Sequence, residues 1–366
     1  MKLLYIVPNI NNEGGVARVL SVKTNYLVEK LGYEVHILTQ NEGFQPLFYS
    51  FNSSIVFHDI LLKGNVFQFF NSFSNGLKTK IKTIQPDIII VCDNGLKAYS
   101  IPFILKNKIP LVLEMHSSKF IEEIDLRIDI LSKVVSKCIY ALKKVGIKKY
   151  DRFVVLTQES ISEWNIKNTI VIPNPLWFAA EKSSALENKR VIAVGRHTYE
   201  KGFDRLLQIW KKVVQKHPDW ILEIYGKSAG KVDLRLLAAN LNISENIIFH
   251  EPVQNIIKKY SEASFYVMTS RFEAFGMVLI EAMACGLPCV AYDCPCGPRA
   301  IIADNQDGFL IENGNESNYV RAIETLIENA TLRGEMGKKA KLSSEKYNIE
   351  TIMETWNQLF NGIKKN

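Results

Sequence analysis

Two glutamates, Glu273 and Glu281, stand eight positions apart beside an apolar run that ends at Gly286 and Pro288. An apolar run closed by Gly and Pro predicts a helix, here over Phe275–Cys285. Two acids with this spacing on a helix are about 12 Å apart, which suits two contact points on one ligand, one near a sugar and one near a ribose. Glu281 lies among apolar residues, so its carboxylate needs a hydrogen-bond partner, and a ribose diol would serve.

The start of this predicted helix could also bind an anion. The first N–H groups of a helix have no acceptor within the helix, and they point along the positive end of its dipole. The groups at Gly276, Met277 and Val278, next to Phe275, would therefore point at a phosphate.

A second loop of this kind follows the predicted strand Val191–Val194. It carries Arg196 and Lys201 and enters another predicted helix at Phe203. Two cationic donors at a helix start, where the dipole already favours negative charge, would clamp a diphosphate. The alternative is that both cations simply face solvent.

Gly14 and Gly15 stand at a third strand-to-helix junction, near the amino terminus. Two glycines there would let backbone N–H groups approach an anion, although a tight turn explains them equally well. The spacing differs from the G-x-G-x-x-G pattern of dinucleotide sites.

These loops need parallel strands to position them, and both halves of the chain alternate short apolar strands with helical periods. The predicted strands are Lys2–Val7, Glu34–Thr39, Asp87–Val91, Pro110–Met115, Arg152–Leu156, Val191–Val194, Trp220–Tyr225, Ile247–His250, Phe265–Thr269 and Cys289–Tyr292. A polar, proline-containing stretch at 172–189 predicts an interdomain linker. We therefore expect an α/β protein with two tandem Rossmann-like domains that face each other across a ligand-binding cleft.

Composition excludes several other classes. The chain has 366 residues, of which 47% are hydrophobic and 23% charged, as in an ordinary globular protein. No apolar run approaches the roughly 20 residues that span a bilayer, and Met1–Pro8 predicts a first strand rather than a secretory leader, so we expect a cytoplasmic protein. Four of the six cysteines cluster at Cys285, Cys289, Cys294 and Cys296, but their spacing differs from that of zinc knuckles and favours buried thiols over a metal site.

Residues 133–152 combine seven basic side chains with one acid. Apolar residues at helical spacing predict an amphipathic helix whose packing face contains Val135, Cys138, Ile139, Leu142 and Val145. Such a helix could lie on an anionic membrane surface, or it could pack by its apolar face with its lysines in solvent. Interleaved aromatics are lacking, which disfavours nucleic acid as a partner.

Together, the glycine pair, the Arg196–Lys201 loop and the Glu-x7-Glu motif resemble the retaining, GT-B fold glycosyltransferases of group 1, family 4. The resemblance covers nearly the whole chain, including Val171–Pro175 and Gly297–Arg299. It implies that Glu273 contacts the donor sugar, Glu281 the nucleotide ribose, and the basic pair the diphosphate.

The resemblance also implies that His116, at the end of a first-domain strand, faces the donor sugar; the alternative is a structural histidine that caps a helix. Uracil would lie near Pro252 and Val253. The C-terminal helix, 349–366, would cross back to join an acceptor-side domain over 1–172, leaving 173–348 as the nucleotide-sugar-binding domain. The sequence lacks a D-x-D string, in keeping with a family that uses helix dipoles and cations in place of a metal, and no cofactor is expected.

These patterns predict an enzyme that moves a sugar from a nucleotide diphosphate sugar, with UDP favoured, to a hydroxyl of a cell-envelope glycan or lipid-linked acceptor, working in the cytoplasm or at the inner face of the membrane. Two alternatives remain open: a GT-B sugar-nucleotide epimerase, and a non-catalytic, membrane-associated sugar-nucleotide binding protein. The donor sugar, the acceptor and the linkage formed are beyond the sequence.

Overall fold

The computed structural model describes residues 1–43, 45–106, 109–117, 130–180, 182–229 and 232–364, with the backbone alone over 130–136. The chain divides into two units. The first unit is Met1–Trp177 together with the C-terminal helix that begins at Ile349, and the second unit is Phe178–Asn348.

The first unit alternates strands and helices in chain order. Its elements are β1 Lys2–Ile6, α1 Gly15–Glu29, β2 Glu34–Gln40, β3 Val56–Ile60, α2 Val66–Ile84, β4 Ile88–Val91, α3 Leu96–Leu105, β5 Leu111–Glu114, α4 Ile130–Ile147, β6 Arg152–Val155, α5 Gln158–Trp164, β7 Thr169–Val171 and α13 Ile349–Lys364.

Strands of the first unit form one parallel sheet in the order β3-β2-β1-β4-β5-β6-β7. The central strands are continuous aliphatic runs because both of their faces are covered. Helices α1 and α13 pack on one face, through Leu20, Leu27 and Trp356. Helices α2 to α5 pack on the other, through residues such as Leu77 and Ile147.

The second unit repeats the plan. Its elements are β8 Arg190–Val194, a 3-10 turn Tyr199–Lys201, α6 Phe203–Lys216, β9 Ile221–Tyr225, α7 Leu234–Asn240, a 3-10 turn Ser244–Asn246, β10 Ile247–His250, α8 Ile256–Glu262, β11 Phe265–Met268, α9 Met277–Ala284, β12 Cys289–Asp293, α10 Pro298–Ile301, β13 Gly308–Glu312, α11 Glu316–Glu328, α12 Ala330–Ser344 and a 3-10 turn Glu345–Tyr347.

This second parallel sheet has the order β10-β9-β8-β11-β12-β13. Helices α6, α7 and α11 cover one of its faces, and the core there includes Leu206, Trp210 and Ile323. Chain order runs outward from β8 to β10 and then resumes on the other side of β8 at β11. The loops after β8 and β11 therefore flank the switch point of the sheet, the place where open parallel sheets bind ligands.

The predicted α/β class with two Rossmann-like units is confirmed, and the predicted strands agree with the observed ones to within one or two residues at each end. Strands β3, β7 and β13 were not predicted. The first of these, Val-Phe-His-Asp-Ile, mixes polar and apolar residues at a sheet edge, where one face of the strand is only partly covered.

The packing face predicted for the basic helix is wrong at three of its five residues; Ile139 is half-buried, and the side chain of Val135 lies outside the described part of the structure. In α4, Cys138, Leu142 and Val145 are exposed, whereas Lys143 is buried and its ammonium lies 5.3 Å from the ring centre of Tyr99. The helix packs against α3 at Gly146, where an added Cβ would come within 2.4 Å of the Tyr99 carbonyl oxygen. Because α4 contacts α3 at Gly146, the stripe of Cys138, Leu142 and Val145 faces solvent. Within the described residues, no helix is both long enough and apolar enough to cross a membrane.

Candidate active site

The loop after β8 is held against the end of β11 by Gly202. Its φ of +66° is in the left-handed region, and an added Cβ would lie 2.2 Å from the carbonyl oxygen of Thr269. Only glycine fits at such a position. The Thr269 hydroxyl also donates to the Gly202 carbonyl oxygen at 2.9 Å. The two loops that flank the switch point are thereby locked together.

Lys201 and Glu273 meet at this junction. The Lys201 Nζ lies 2.6 Å from Oε1 of Glu273, and the Ser270 hydroxyl donates to the same oxygen at 2.8 Å. Glu273 is buried, whereas the Lys201 side chain is 21% exposed. Two residues 72 positions apart in the chain, singled out for separate roles, thus form one partly desolvated ion pair. Ser270 was not predicted.

The separation of about 12 Å expected for Glu273 and Glu281 along a helix does not apply, because of the two only Glu281 lies on α9. Glu273 pairs with Cys296 in an isolated β-bridge, and α9 begins only at Met277. Gly276, the N-cap, has φ +99°, a left-handed conformation that interrupts any helical hydrogen bonding upstream. The loop Arg271–Gly276 instead lies against Gly297, where an added Cβ would be 2.5 Å from the Phe275 carbonyl oxygen.

The start of α9 offers backbone donors, as expected. Within the part of the chain that the structure describes, no side chain caps Gly276. The first intrahelical bond found there runs from the N–H of Leu279 to the Gly276 carbonyl oxygen, at 2.9 Å. Helix geometry leaves the N–H groups of Met277 and Val278 without an intrahelical acceptor. Phe275 is buried and packs edge-on against Tyr347, which anchors the approach to the helix.

Arg196 is not joined to this ion pair. Its side chain is 63% exposed and contacts Glu200 at 3.3 Å. The Arg196 guanidinium thus faces solvent, which is the alternative that the sequence analysis left open. Its contact with a diphosphate stays a prediction.

Glu281 has a buried partner that the sequence analysis missed. The Tyr260 hydroxyl, from α8, donates to Oε2 of Glu281 at 3.1 Å. Both residues are buried, and burial together with the Glu281 charge raises the pKa of Tyr260 well above its usual range. Tyr260 therefore stays protonated and remains a donor. In the sequence, its four-residue spacing from Ile256 indicates no more than a core position.

A second unpredicted pair braces the loops. The Arg271 guanidinium makes two hydrogen bonds to the Asp204 carboxylate, at 2.8 and 2.6 Å, and a third to the Tyr199 carbonyl oxygen at 2.7 Å. Partial burial would raise the pKa of Asp204, but Arg271 outweighs it and holds that pKa below its usual value. The backbone N–H of Arg271 also donates to the Glu200 carbonyl oxygen at 2.7 Å. Arg271 thus ties the loop of Glu273 to the loop of Lys201.

Pro252 and Val253 follow β10 at the same carboxyl edge of the sheet. Pro252 is exposed and Val253 is half-buried. Their expected contact with uracil stays a prediction.

In the first unit, Gly14 is the N-cap of α1, and its N–H donates to Oδ1 of Asn12 at 2.8 Å. A Cβ added at Gly15 would meet no described atom within 4 Å. The helix start is therefore open, and both the anion-binding role and the simple turn fit it.

His116 follows β5 and is held by a buried carboxylate. Its Nε2 lies 3.2 Å from Oε1 of Glu114, and its side chain is 6% exposed. Burial alone would raise the pKa of Glu114, but the Lys23 ammonium and the contact with His116 lower it well below the ordinary value, so the carboxylate is ionised. Lys23 and Glu114 are further residues that the sequence analysis missed.

Cysteines of the second unit do not assemble a metal site among the described residues. Cys285, Cys289, Cys294 and Cys296 are buried, and none of the four forms a disulfide within the described residues. The one described group of three candidate ligands is Cys92, Glu114 and His116, whose donor atoms lie within 4.8 Å of one another. There the ammonium of Lys23 already neutralises the carboxylate, at 2.5 Å.

The family described as "Glycosyl transferases group 1" matches residues 178–343. A Haemophilus influenzae protein named as an uncharacterized glycosyltransferase is 30% identical over 97% of this chain and 98% of its own length. The chain belongs to the group 1 glycosyltransferases. The Erwinia amylovora amylovoran biosynthesis glycosyltransferase AmsD is likewise 30% identical, over 98% of this chain and 99% of its own.

Among solved structures, a point mutant of Staphylococcus aureus TarM, crystallised with fondaparinux, alpha-GlcNAc-glycerol and UDP, resembles this glycosyltransferase with a TM-score of 0.76. The match covers 98% of this chain and 99% of TarM at 18% sequence identity. At that identity the likeness concerns the fold, which is GT-B.

Proposed function

We propose that this glycosyltransferase transfers a hexose from a nucleotide diphosphate sugar, with UDP as the nucleotide, to a hydroxyl of a cell-envelope glycan or lipid-linked acceptor, and retains the anomeric configuration. The contact between Lys201 and Glu273 at the switch point of the second unit carries the proposal. It brings a cation suited to a diphosphate and a carboxylate suited to sugar hydroxyls to one point.

The diphosphate is proposed to bind Lys201 and Arg196, with the free N–H groups at Met277 and Val278 as further donors. Cations and helix starts stabilise negative charge most where it grows in the transition state, on the departing diphosphate. The exposed Arg196 is free to turn to an arriving anion because its ion pair with Glu200 is solvated. The open start of α1 at Gly14 and Gly15 is a candidate for the same anion.

Sugar and ribose are assigned to the two glutamates. Glu273 would orient the donor sugar through its hydroxyls, and Glu281, held by Tyr260, would accept hydrogen bonds from the ribose diol. His116 would face the donor sugar from the first unit, and Pro252 with Val253 would contact the base. In this assignment the second unit is the nucleotide-sugar-binding domain, predicted over 173–348, and the first unit is the acceptor-side domain.

For transfer with retention, the bond from the acceptor oxygen to the anomeric carbon forms on the face from which the phosphate oxygen departs. The departing phosphate oxygen takes the acceptor proton, so the reaction is balanced without a strong protein base. Glu273 and His116 therefore act by orienting the donor sugar. Lys201 and Arg196 act by stabilising the negative charge on the departing diphosphate.

The TarM mutant crystallised with UDP, and AmsD is named for the biosynthesis of a glycan, which supports the nucleotide and the acceptor class. An acceptor at the membrane is supported by α4. Its exposed stripe of Cys138, Leu142 and Val145 is accompanied by lysines, and the first turn of α2, which packs on the same face of the sheet, exposes Val66 and Phe67. Apolar side chains among lysines bind anionic lipid surfaces.

Three variants test the donor assignment. Glu273→Gln is expected to lower transfer by about 100-fold while UDP binding survives, because the sugar contact is lost and the diphosphate contacts remain. Arg196→Ala and Lys201→Ala are expected to weaken UDP binding, as measured by calorimetry. Transfer at the wild-type rate in all three variants would show that the assigned site is wrong.

Liposome flotation tests the membrane contact. Because Lys143 is buried, the variant replaces the four accessible lysines Lys137, Lys144, Lys148 and Lys149 by Gln. We expect it to lose binding to vesicles that contain anionic lipid at low salt. The matched control replaces Lys212, Lys216, Lys338 and Lys339, which lie on the surface of the second unit. Equal binding by the two variants would remove the membrane from the proposal.

A further inference from the structure

A buried ion pair lies beneath the carboxyl edge of the first sheet. Lys23 of α1 contacts Oε1 of Glu114 at 2.5 Å, and the two side chains are 1% and 2% exposed. Trp356 of α13 lies over the ammonium, which is 3.7 Å from the centre of its ring. Both ions are thus desolvated, and each compensates the other.

Packing of α1 against the sheet does not require an ion pair at this position. Lys23 stands on the buried side of α1 between Leu20 and Leu27, at spacings where an apolar residue would serve. Removing two ions from water costs several kcal/mol each, and well-packed apolar pairs are often as stable as buried ion pairs. A role beyond stability therefore has to be sought in what else the pair touches.

The third member of this cluster is His116. Its Nε2 lies 3.2 Å from the oxygen that Lys23 contacts, and the Cys92 thiol donates to the other Glu114 oxygen at 3.2 Å. Tyr5, fully buried, is a further titratable group near the carboxylate, and the buried Asp93 acts on Cys92. Burial raises the pKa values of Tyr5 and Cys92 well above their usual ranges. Tyr5 and Cys92 are therefore uncharged, and the Lys23 ammonium is the opposite charge in contact with Glu114.

We propose that Glu114 and Lys23 are positioning residues for His116: Glu114 accepts the Nε2–H and so leaves Nδ1 as the free ring nitrogen, and Lys23 offsets the Glu114 charge, which would otherwise favour the cationic ring. A carboxylate fixes the tautomer and orientation of an imidazole in this way. The inference rests on the proposed function, in which His116 faces the donor sugar. A neutral ring with an Nδ1 lone pair can accept a hydrogen bond from a sugar hydroxyl, which a cationic ring cannot.

Long-range proton–nitrogen correlation spectra of protein labelled with ¹⁵N-histidine test the ring directly. Whenever the wild-type ring is neutral, the His116 signals are expected to be those of the Nε2–H tautomer. In Lys23→Met the uncompensated carboxylate should make the ring bind a proton about 10-fold more tightly or more. Lys143→Met is the matched control, because it removes another buried lysine of the same unit. The double variant Lys23→Met/Glu114→Gln removes both charges and should reverse the gain in proton affinity, and it serves also if Lys23→Met alone does not fold.

A His116 that titrates alike in the wild type and Lys23→Met, or a wild-type ring protonated at Nδ1 alone, would overturn the positioning role. This result does not depend on activity, so it is distinct from a failure of the proposed function.

Transfer kinetics test whether the effect passes through His116. Lys23→Met should lower kcat about 10-fold near neutral pH, move the acid limb of the pH–rate profile to higher pH, and leave UDP affinity unchanged. In a His116→Ala background the same substitution should have no further effect on kcat. If Lys23→Met lowered kcat equally in the wild-type and His116→Ala backgrounds, the role of Lys23 would be structural and would not pass through His116. Wild-type transfer by His116→Ala would instead refute the role of His116 in the proposed function and leave the spectroscopic result standing.

Discussion

Replacing Lys201 by Ala removes the cation at the centre of the candidate donor site. A hydrogen bond between charged groups contributes about 1.5–3 kcal/mol. If Lys201 binds the diphosphate of UDP, its loss should weaken UDP binding by about 10- to 150-fold, since about 1.4 kcal/mol corresponds to tenfold. Isothermal titration calorimetry with UDP measures this change directly.

The same substitution should lower stability, because Glu273 is buried and, among the described side chains, keeps the Ser270 hydroxyl as its one hydrogen-bond partner. Breaking a fully buried pair costs about 3–5 kcal/mol. The Lys201 side chain is 21% exposed, so water reaches the pair, and we expect a smaller loss of about 1–3 kcal/mol in the free energy of unfolding. Thermal unfolding should show a lower Tm.

Lys212→Ala is the control. Lys212 pairs with Glu316 at 2.7 Å on the surface, with side chains 53% and 38% exposed. Such a pair contributes at most about 1 kcal/mol, and it lies on α6 and α11 rather than at the switch point. If Lys201→Ala binds UDP as tightly as Lys212→Ala and the wild type, the diphosphate assignment for Lys201 is refuted.

Three further predictions concern the residues around this ion pair. Tyr260→Phe removes the hydrogen bond to Glu281 and should weaken UDP binding about 3- to 10-fold in calorimetry; unchanged affinity would contradict a ribose contact held by Tyr260. Arg271→Ala should destabilise the protein at about pH 7, and this loss should shrink as the pH falls below 3.8: the lowered pKa of Asp204 gives stabilisation that is present above its ordinary value and is lost as pH falls through the folded-state value. A urea-unfolding difference that stays unchanged throughout the acid range would contradict this ion pair as the cause. Gly276→Ala places a side chain at φ +99° and should cost about 1–3 kcal/mol in unfolding free energy, with reduced transfer; a variant as stable and active as the wild type would show that the left-handed N-cap is not needed.

The sequence predicted the fold well because parallel strands buried on both faces leave long aliphatic runs such as Ile88–Val91. It also predicted the loops that carry Lys201 and Glu273, since glycine and charge at the end of a strand are local features. It could not predict that the two side chains meet. That contact depends on β8 and β11 being neighbours in the sheet, which is a property of topology.

The errors have physical causes too. The helix predicted from Phe275 begins later, at Met277, because Gly276 adopts a left-handed conformation, which no hydrophobic pattern reveals. In α4, apolar spacing chose the wrong face because contact with α3 at Gly146 turned that face outward and buried Lys143. The sequence does contain a signal for Lys23. Its helical spacing from Leu20 and Leu27 places a charged side chain on the buried face of α1, which predicts a buried partner of opposite charge.

The most direct test of the account is a nucleotide-release assay. A panel of UDP-, GDP- and ADP-sugars is incubated with the protein and a membrane extract as the source of acceptor, with Glu273→Gln run in parallel. We expect acceptor-dependent release of UDP from a UDP-sugar by the wild type, and release at least about 100-fold slower by Glu273→Gln. Release from no donor, together with no calorimetric binding of UDP, would contradict the proposed donor site.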